Sequence, residues 1–220
     1  MKNTQIHGIY FVTDRELLKG KSLEETVLHA VQGGVSLVQL REKTLPTRAF
    51  IATAQRLKTA LKPYHVPLII NDRIDVALAA EADGVHIGQD DMPYPLARKL
   101  LGAQAIIGVS VENMEQVLEA EAWEVDYLGV SAIFATPTKT DIKRAWGLDG
   151  LREVKRRSRH PLVAIGGIHS DNAADVMQAG ADSIAVVSAI CAANDPLGAT
   201  QQLLQAISFP VMQFGATGGI

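Results

Sequence analysis

Eight short apolar runs recur along the chain, and an amphipathic stretch long enough for a helix follows each of them. The runs fall at residues 8–13, 36–40, 67–70, 83–87, 105–109, 125–130, 162–165 and 183–187. Each is rich in Val, Ile or Leu, as expected of a strand covered on both faces. A strand that returns through a helix joins its neighbour in parallel, which leaves a closed barrel or an open doubly wound sheet. Eight βα units fill the 220 residues, and reactive side chains follow many of the runs, not one switch point. Both observations favour a single-domain α/β protein, the (β/α)8 or TIM barrel.

The helices carry their own signals. Ser22 with Glu25 three residues on makes a capping box before Val27, Leu28 and Val31, and Gly33-Gly34 stops that helix. Further helices are expected over 47–61, 74–81, 94–101, 114–121, 148–158, 171–179 and 197–207. Small residues between helix and strand recur in Gln32-Gly33-Gly34-Val35, Glu81-Ala82-Asp83-Gly84 and Ala179-Gly180-Ala181-Asp182, a weak echo of the repeat. The barrel is expected to span 1–208, with 209–220 as a C-terminal tail outside it.

Composition narrows the function. A net charge of -3 gives no general attraction to nucleic acid or anionic lipid, so any anionic substrate must be held by local groups. The lone cysteine, Cys191, excludes an internal disulfide and a cysteine-based zinc site. No apolar run is long enough to span a membrane, and the first residues lack the apolar core of a secretory signal. A cytoplasmic protein is expected, with small molecules as partners and a homo-oligomer left open.

In a parallel barrel the active site lies at the carboxyl ends of the strands, so the residues closing each run are the candidates. Asp72 and Asp91 follow neighbouring strands, which lie about 4.8 Å apart. Their carboxylates could share one hard cation such as magnesium, with phosphate and water completing the shell. Spacing does not separate Asp91 from Asp90 in this role, and solvated loop acids are the plainer alternative. Arg41, Lys43 and Lys139 lie at or beyond strand ends and suit a metal-bridged diphosphate. The strand ending in Ala164-Ile165 runs into Gly166-Gly167, and Ser188 closes the eighth; these loops frequently bind phosphate in barrels. The loop 134–146 is long for its place and reads as a lid. No nucleophile stands out: Cys191 has no activating neighbour, and His86 reads as a satisfied core histidine. Two phosphorylated ligands without a covalent nucleophile point to transfer of an electrophilic group with diphosphate leaving.

Taken in order, Val38-Gln39-Leu40-Arg41-Glu42-Lys43, Ile70-Asn71-Asp72, Val85-His86-Ile87-Gly88-Gln89-Asp90-Asp91, Gly108-Val109-Ser110, Thr136-Pro137-Thr138-Lys139, Ala164-Ile165-Gly166-Gly167-Ile168 and Ala185-Val186-Val187-Ser188 resemble the thiamine-phosphate synthase family. The resemblance implies magnesium-dependent coupling of 4-amino-5-hydroxymethyl-2-methylpyrimidine diphosphate with a thiazole phosphate, releasing diphosphate and forming thiamine phosphate. It implies that Asp72 and Asp91 hold magnesium. Gln39, Leu40, Arg41, Glu42, Lys43, Asn71, Ser110 and Lys139 would bind the pyrimidine diphosphate, with Arg41, Lys43, Ser110 and Lys139 acting in catalysis. Thr136, Pro137, Thr138, Gly167, Val187 and Ser188 would hold the thiazole phosphate. In the family the diphosphate departs first and the thiazole nitrogen captures a pyrimidine carbocation, a step without a general base. Two departures are visible: Val111-Glu112-Asn113 where many relatives carry a histidine, and Ala135 where a proline is common. A related thiazole tautomerase shares the barrel and phosphate pocket but needs no metal–diphosphate site. A silent regulatory barrel would have lost a ligand. Retention of Asp72, Asp91, Arg41, Lys43 and Lys139 favours the synthase.

Overall fold

The computed structural model describes residues 6–135 and 145–208. The strands are β1 (Gly8–Val12), β2 (Val35–Leu40), β3 (Leu68–Asn71), β4 (Gly84–Ile87), β5 (Ile106–Val111), β6 (Tyr127–Ser131), β7 (Leu162–Ile165) and β8 (Ser183–Val186). All pair in parallel with their sequence neighbours, and β1 also pairs with β8, so the sheet closes into a barrel. That pairing removes the open doubly wound alternative. The helices outside it are α1 (Leu23–Gln32), α2 (Thr47–Leu61), α3 (Ile74–Ala79), α4 (Tyr94–Leu101), α5 (Met114–Ala120), α6 (Gly147–Arg157), α7 (Ser170–Gln178), α8 (Ser188–Cys191) and α9 (Pro196–Ser208). Ser22 caps α1 as expected, its Oγ accepting from the Glu25 N–H at 3.3 Å. The single turn α8 was not anticipated: Val187, expected to end β8, instead leaves it (φ -114°, ψ -78°) and starts this helix. No helix among the described residues is long and apolar enough to cross a membrane.

Alternation along each strand sorts the side chains into two sets. Ile9, Phe11, Val38, Leu40, Leu68, Ile70, Ile107, Val109, Leu128 and Val130 point outward and pack with the helices in one continuous core. Tyr10, Val12, Leu37, Ile69, Ile106, Tyr127, Val163 and Ala185 form a second cluster inside the barrel. Its lower part is aliphatic, while Gln39, Asn71, His86 and Ser110 face the cavity at the carboxyl end. The site is thus built on strands. β5 continues to Val111, so Ser110 is an inward-facing strand residue and not a loop residue as expected.

Three strands, β4, β6 and β8, begin with an aspartate anchor at the opposite end of the barrel. Asp83, before β4, accepts from the Leu68 N–H of β3 at 2.7 Å and pairs with Lys58 of α2. Asp126, before β6, accepts from the Ile107 N–H of β5 at 2.8 Å and pairs with Arg98 of α4. Asp182, before β8, accepts from the Leu162 N–H of β7 at 2.8 Å and pairs with Lys155 of α6. One carboxylate therefore ties two strands and the helix before them. This use of the aspartates explains why β4 and β6 start later than their apolar runs suggest. Asp126 is the least exposed of the three, at 14%. Asp126→Ala leaves the Ile107 N–H and part of the Arg98 guanidinium without an acceptor, and is expected to cost about 2 kcal/mol in urea unfolding.

Candidate active site

The carboxyl ends of the strands surround a cavity of about 730 Å³. One side is acidic and basic together. Just after β3 the chain makes a three-residue turn, with the Arg73 N–H donating to the Asn71 carbonyl at 2.7 Å and Asp72 at φ +61°. A non-glycine residue in this region is strained, a cost met mostly at functional sites. The Asp72 N–H still donates to the His86 carbonyl at 2.8 Å, so the turn is hung directly on β4. Lys43 Nζ donates to Asp72 Oδ2 at 2.9 Å, and Asp91 Oδ2 accepts from the Gly88 N–H at 2.7 Å. Burial, and then the Asp72 carboxylate beside it, hold the Asp91 carboxyl above its ordinary range, with the Gly88 N–H and Lys43 pulling the other way. It is therefore Asp91, not Asp90, whose carboxylate meets that of Asp72.

An ionised Asp91 beside the Asp72 carboxylate is the arrangement that a bound cation would favour. Among the described residues no cluster of three or more His, Cys, Asp or Glu could hold a metal by protein groups alone. The donor set is oxygen only and leaves positions for ligand oxygens, which fits a hard cation that keeps water and phosphate in its shell. Arg41 is held at this edge by two bonds, its NH1 donating to Asp14 Oδ2 at 2.9 Å and its N–H to Thr13 Oγ1 at 3.0 Å.

The opposite side is lined by backbone. Gly166 and Gly167 adopt φ +104° and +66°. A Cβ on Gly166 would lie 2.5 Å from Ala132 Cβ, and one on Gly167 2.8 Å from Phe134 Cβ. The loop after β7 therefore lies flush against the chain leaving β6. The Ile133 N–H donates to the Ile165 carbonyl at 2.9 Å and the Phe134 N–H to the Gly166 carbonyl at 3.1 Å. On the return, the N–H groups of Trp146 and Gly147 donate to the carbonyls of Ala132 and Ile133 at 2.8 and 2.9 Å. Both ends of the 134–146 segment are thus fixed beside Gly166. Ser188 and Ala189 open α8 at the cavity wall, where the first amides of a helix have no intrahelical partner.

Of the expected site residues, Gln39, Arg41, Lys43, Asn71, Asp72, Asp91, Ser110, Gly167, Val187 and Ser188 meet around this one cavity. Leu40 and Glu42 are not brought to it. Leu40 lies on the outward face of β2, fully buried among the helices. Glu42 turns away to a two-pronged pair with Arg15, with Oε1 at 2.6 Å from NH2 and 3.0 Å from Nε. Thr136, Pro137, Thr138 and Lys139 lie outside the described residues, as does the 209–220 tail. The sequence does not single out Tyr10, Gln89 and Tyr127 as site residues, and His86 reads there as a core residue; all four line the cavity. The signal was available for the tyrosines. Counting in twos from Gln39 and Ser110 along paired strands puts Tyr10 and Tyr127 on the inward face, whereas Phe11, the other aromatic residue of β1, points outward.

Comparison with known proteins gives the family. A family profile described as "Thiamine monophosphate synthase" matches residues 9–190. A thiamine-phosphate synthase of Albidiferax ferrireducens is 58% identical over 199 residues, 90% of this chain and 91% of that protein. One of Syntrophomonas wolfei is 51% identical, covering 90% and 95%. The solved structure of a thiamine phosphate pyrophosphorylase from Pyrococcus furiosus superposes with a TM-score of 0.85 at 40% identity, covering 93% of this chain and 96% of that one. The chain belongs to the thiamine monophosphate synthase family and has its thiamine-phosphate synthase activity.

Proposed function

We propose that this cavity binds the pyrimidine diphosphate and magnesium on its Asp72–Asp91 side and the thiazole phosphate on its Gly167–Ser188 side. The observation that carries this reading is the division of one cavity into a charged half and a backbone-lined half. The contact between Asp72 and Asp91, with Asp91 pushed up, supports magnesium as the hard cation that both carboxylates would hold. When bound, the metal supplies positive charge to the departing diphosphate. Arg41 and Lys43 add charge on the same side, and Arg41 is held in place by Asp14, so little reorganisation accompanies the reaction. Asn71 and Gln39 offer amide groups to the pyrimidine. Across the cavity, the amides of Gly167 and Ser188 suit a phosphate in the position common to barrels, between the loops after β7 and β8 and a short extra helix.

Bound in this way, the two substrates bring the pyrimidine methylene carbon near the thiazole nitrogen. The carbon–oxygen bond breaks with its electron pair leaving on diphosphate, and the thiazole nitrogen's lone pair forms the new carbon–nitrogen bond. No proton is lost, so no general base is needed. Lys139 would add charge toward the diphosphate, and Thr136, Pro137 and Thr138 would bind the thiazole phosphate; all four lie outside the described residues.

The direct test mixes both phosphorylated substrates with magnesium and follows diphosphate and thiamine phosphate; folded protein that forms neither overturns the reading. Asp72→Asn is expected to lower turnover about 100-fold, and turnover that survives a chelator unchanged would remove the metal. Lys139→Ala is expected to lower turnover far more than thiazole phosphate affinity. Asp91→Asn should separate stability from activity. A carboxyl raised in the folded state contributes stability at acid pH and loses it as pH rises through its folded pKa. Removing the charge is therefore expected to raise the urea midpoint of metal-free protein at neutral pH, with the gain vanishing below about pH 4, while magnesium-dependent turnover falls.

A further inference from the structure

Gln39, Tyr10, Tyr127, His86 and Ser110 form one hydrogen-bonded row across the barrel interior. Gln39 Nε2 donates to Tyr10 Oη at 2.7 Å, and Tyr10 Oη lies 2.8 Å from Tyr127 Oη. Tyr127 Oη lies 3.0 Å from His86 Nδ1, and His86 Nε2 lies 2.8 Å from Ser110 Oγ. The rings hold this row in place. Tyr127 stacks on His86 with centroids 5.5 Å apart and meets Tyr10 edge-on at 5.7 Å. Room for it is made on β5, where a Cβ on Gly108 would lie 2.0 Å from the Tyr127 ring.

The row has a direction. Tyr10 and Tyr127 are 1% and 0% exposed, so each hydroxyl must find its acceptor inside the protein. Burial pushes both hydroxyls well above the ordinary tyrosine range, so both stay protonated. Tyr10 accepts the Gln39 N–H and donates its hydroxyl hydrogen bond to Tyr127, which donates its own to Nδ1 of His86. Nε2 then carries the imidazole hydrogen and donates it to Ser110 Oγ. The hydroxyl proton of Ser110 is left to face the cavity. Run the other way, with Nδ1–H donating to Tyr127 and Tyr127 to Tyr10, the row would aim two donors at Tyr10 Oη and leave that residue's buried proton without an acceptor.

We propose that Tyr127 is a positioning residue of the transfer reaction: it fixes His86 as the Nε2–H tautomer, so that Ser110 presents a hydrogen-bond donor to the pyrimidine diphosphate. This rests on the substrate placement proposed above. Such a donor selects a ligand with an acceptor at that point, a ring nitrogen or a phosphate oxygen. A ligand group that can only donate there would leave a buried mismatch. Tyr127 acts through His86 and is not itself required to touch the reacting atoms.

The test begins on substrate-free protein labelled with ¹⁵N-histidine, with the His86 signals assigned by their loss in His86→Asn. A protonated Nε2 and an unprotonated Nδ1 are expected; the opposite tautomer, or an equal mixture, overturns the proposal. Tyr127→Phe keeps the ring and removes the oxygen. It is expected to mix the tautomers and lower kcat about ten-fold, with the KM for thiazole phosphate unchanged. Tyr10→Phe, one link further away, is expected to do less of both, whereas a purely structural role would give the two variants similar losses. Full turnover by Tyr127→Phe overturns the positioning role. The tautomer is read without substrate, so unmodified protein that shows it yet forms no thiamine phosphate counts against the substrate placement and not against the row.

Discussion

Closure of the sheet between β1 and β8 is the constraint on which the rest depends. Once the barrel is closed, each strand has one face toward the helices and one toward an interior too narrow for solvent to fill. The outward face can be satisfied by any well-packed aliphatic side chain. The inward face must fit its residues against those of other strands, and only near the carboxyl ends does it open onto a cavity. That gradient sorts Leu37, Ile69 and Ile106 below from Gln39, Asn71 and Ser110 above. The aspartate anchors at the other end hold pairs of strands in register, so the inward residues of different strands meet at fixed heights. The polar row from Gln39 to Ser110 crosses between β2, β1, β6, β4 and β5, and exists only because those heights match.

Stability and activity pull apart at the mouth of the barrel. Asp72 is held in a left-handed conformation, and Asp91 is held partly buried beside it. Both arrangements oppose folding. Lys43 relieves the repulsion only in part. The opposite end shows the reverse economy: Asp83, Asp126 and Asp182 each combine a backbone donor with a basic partner. Acidic residues of one type thus serve cohesion at one end and, in the proposed reading, ligand binding at the other, and their partners decide which.

The architecture was legible because its signal is repetitive. Eight aliphatic runs separated by amphipathic stretches leave few alternatives, and Ser22 and Gly34 behave as local chemistry requires, the one capping α1 and the other turning left-handed after it. Much of the candidate site was legible because residues such as Asp72, Asp91 and Gly167 stand at the ends of those runs and line one cavity. Leu40 and Glu42 were carried along with their neighbours in the Gln39–Lys43 stretch. There strand alternation turns Leu40 outward, and Arg15, distant in sequence, draws Glu42 aside. Tyr127 and Tyr10 were hidden because a tyrosine inside an apolar run reads as packing until its hydroxyl's partner is known, and that partner lies 117 residues away.

By itself, the sequence determined the order of strands and helices, the aliphatic faces that force burial, and the residue types available at each strand end. Local geometry and propensity act over a few residues, so these are readable along the chain. Tertiary structure alone decided which of two adjacent acids meets Asp72, which members of a polar cluster reach the cavity, and which way hydrogen bonds run through its floor. These depend on distances between strands far apart in sequence, which barrel closure sets and no single segment encodes.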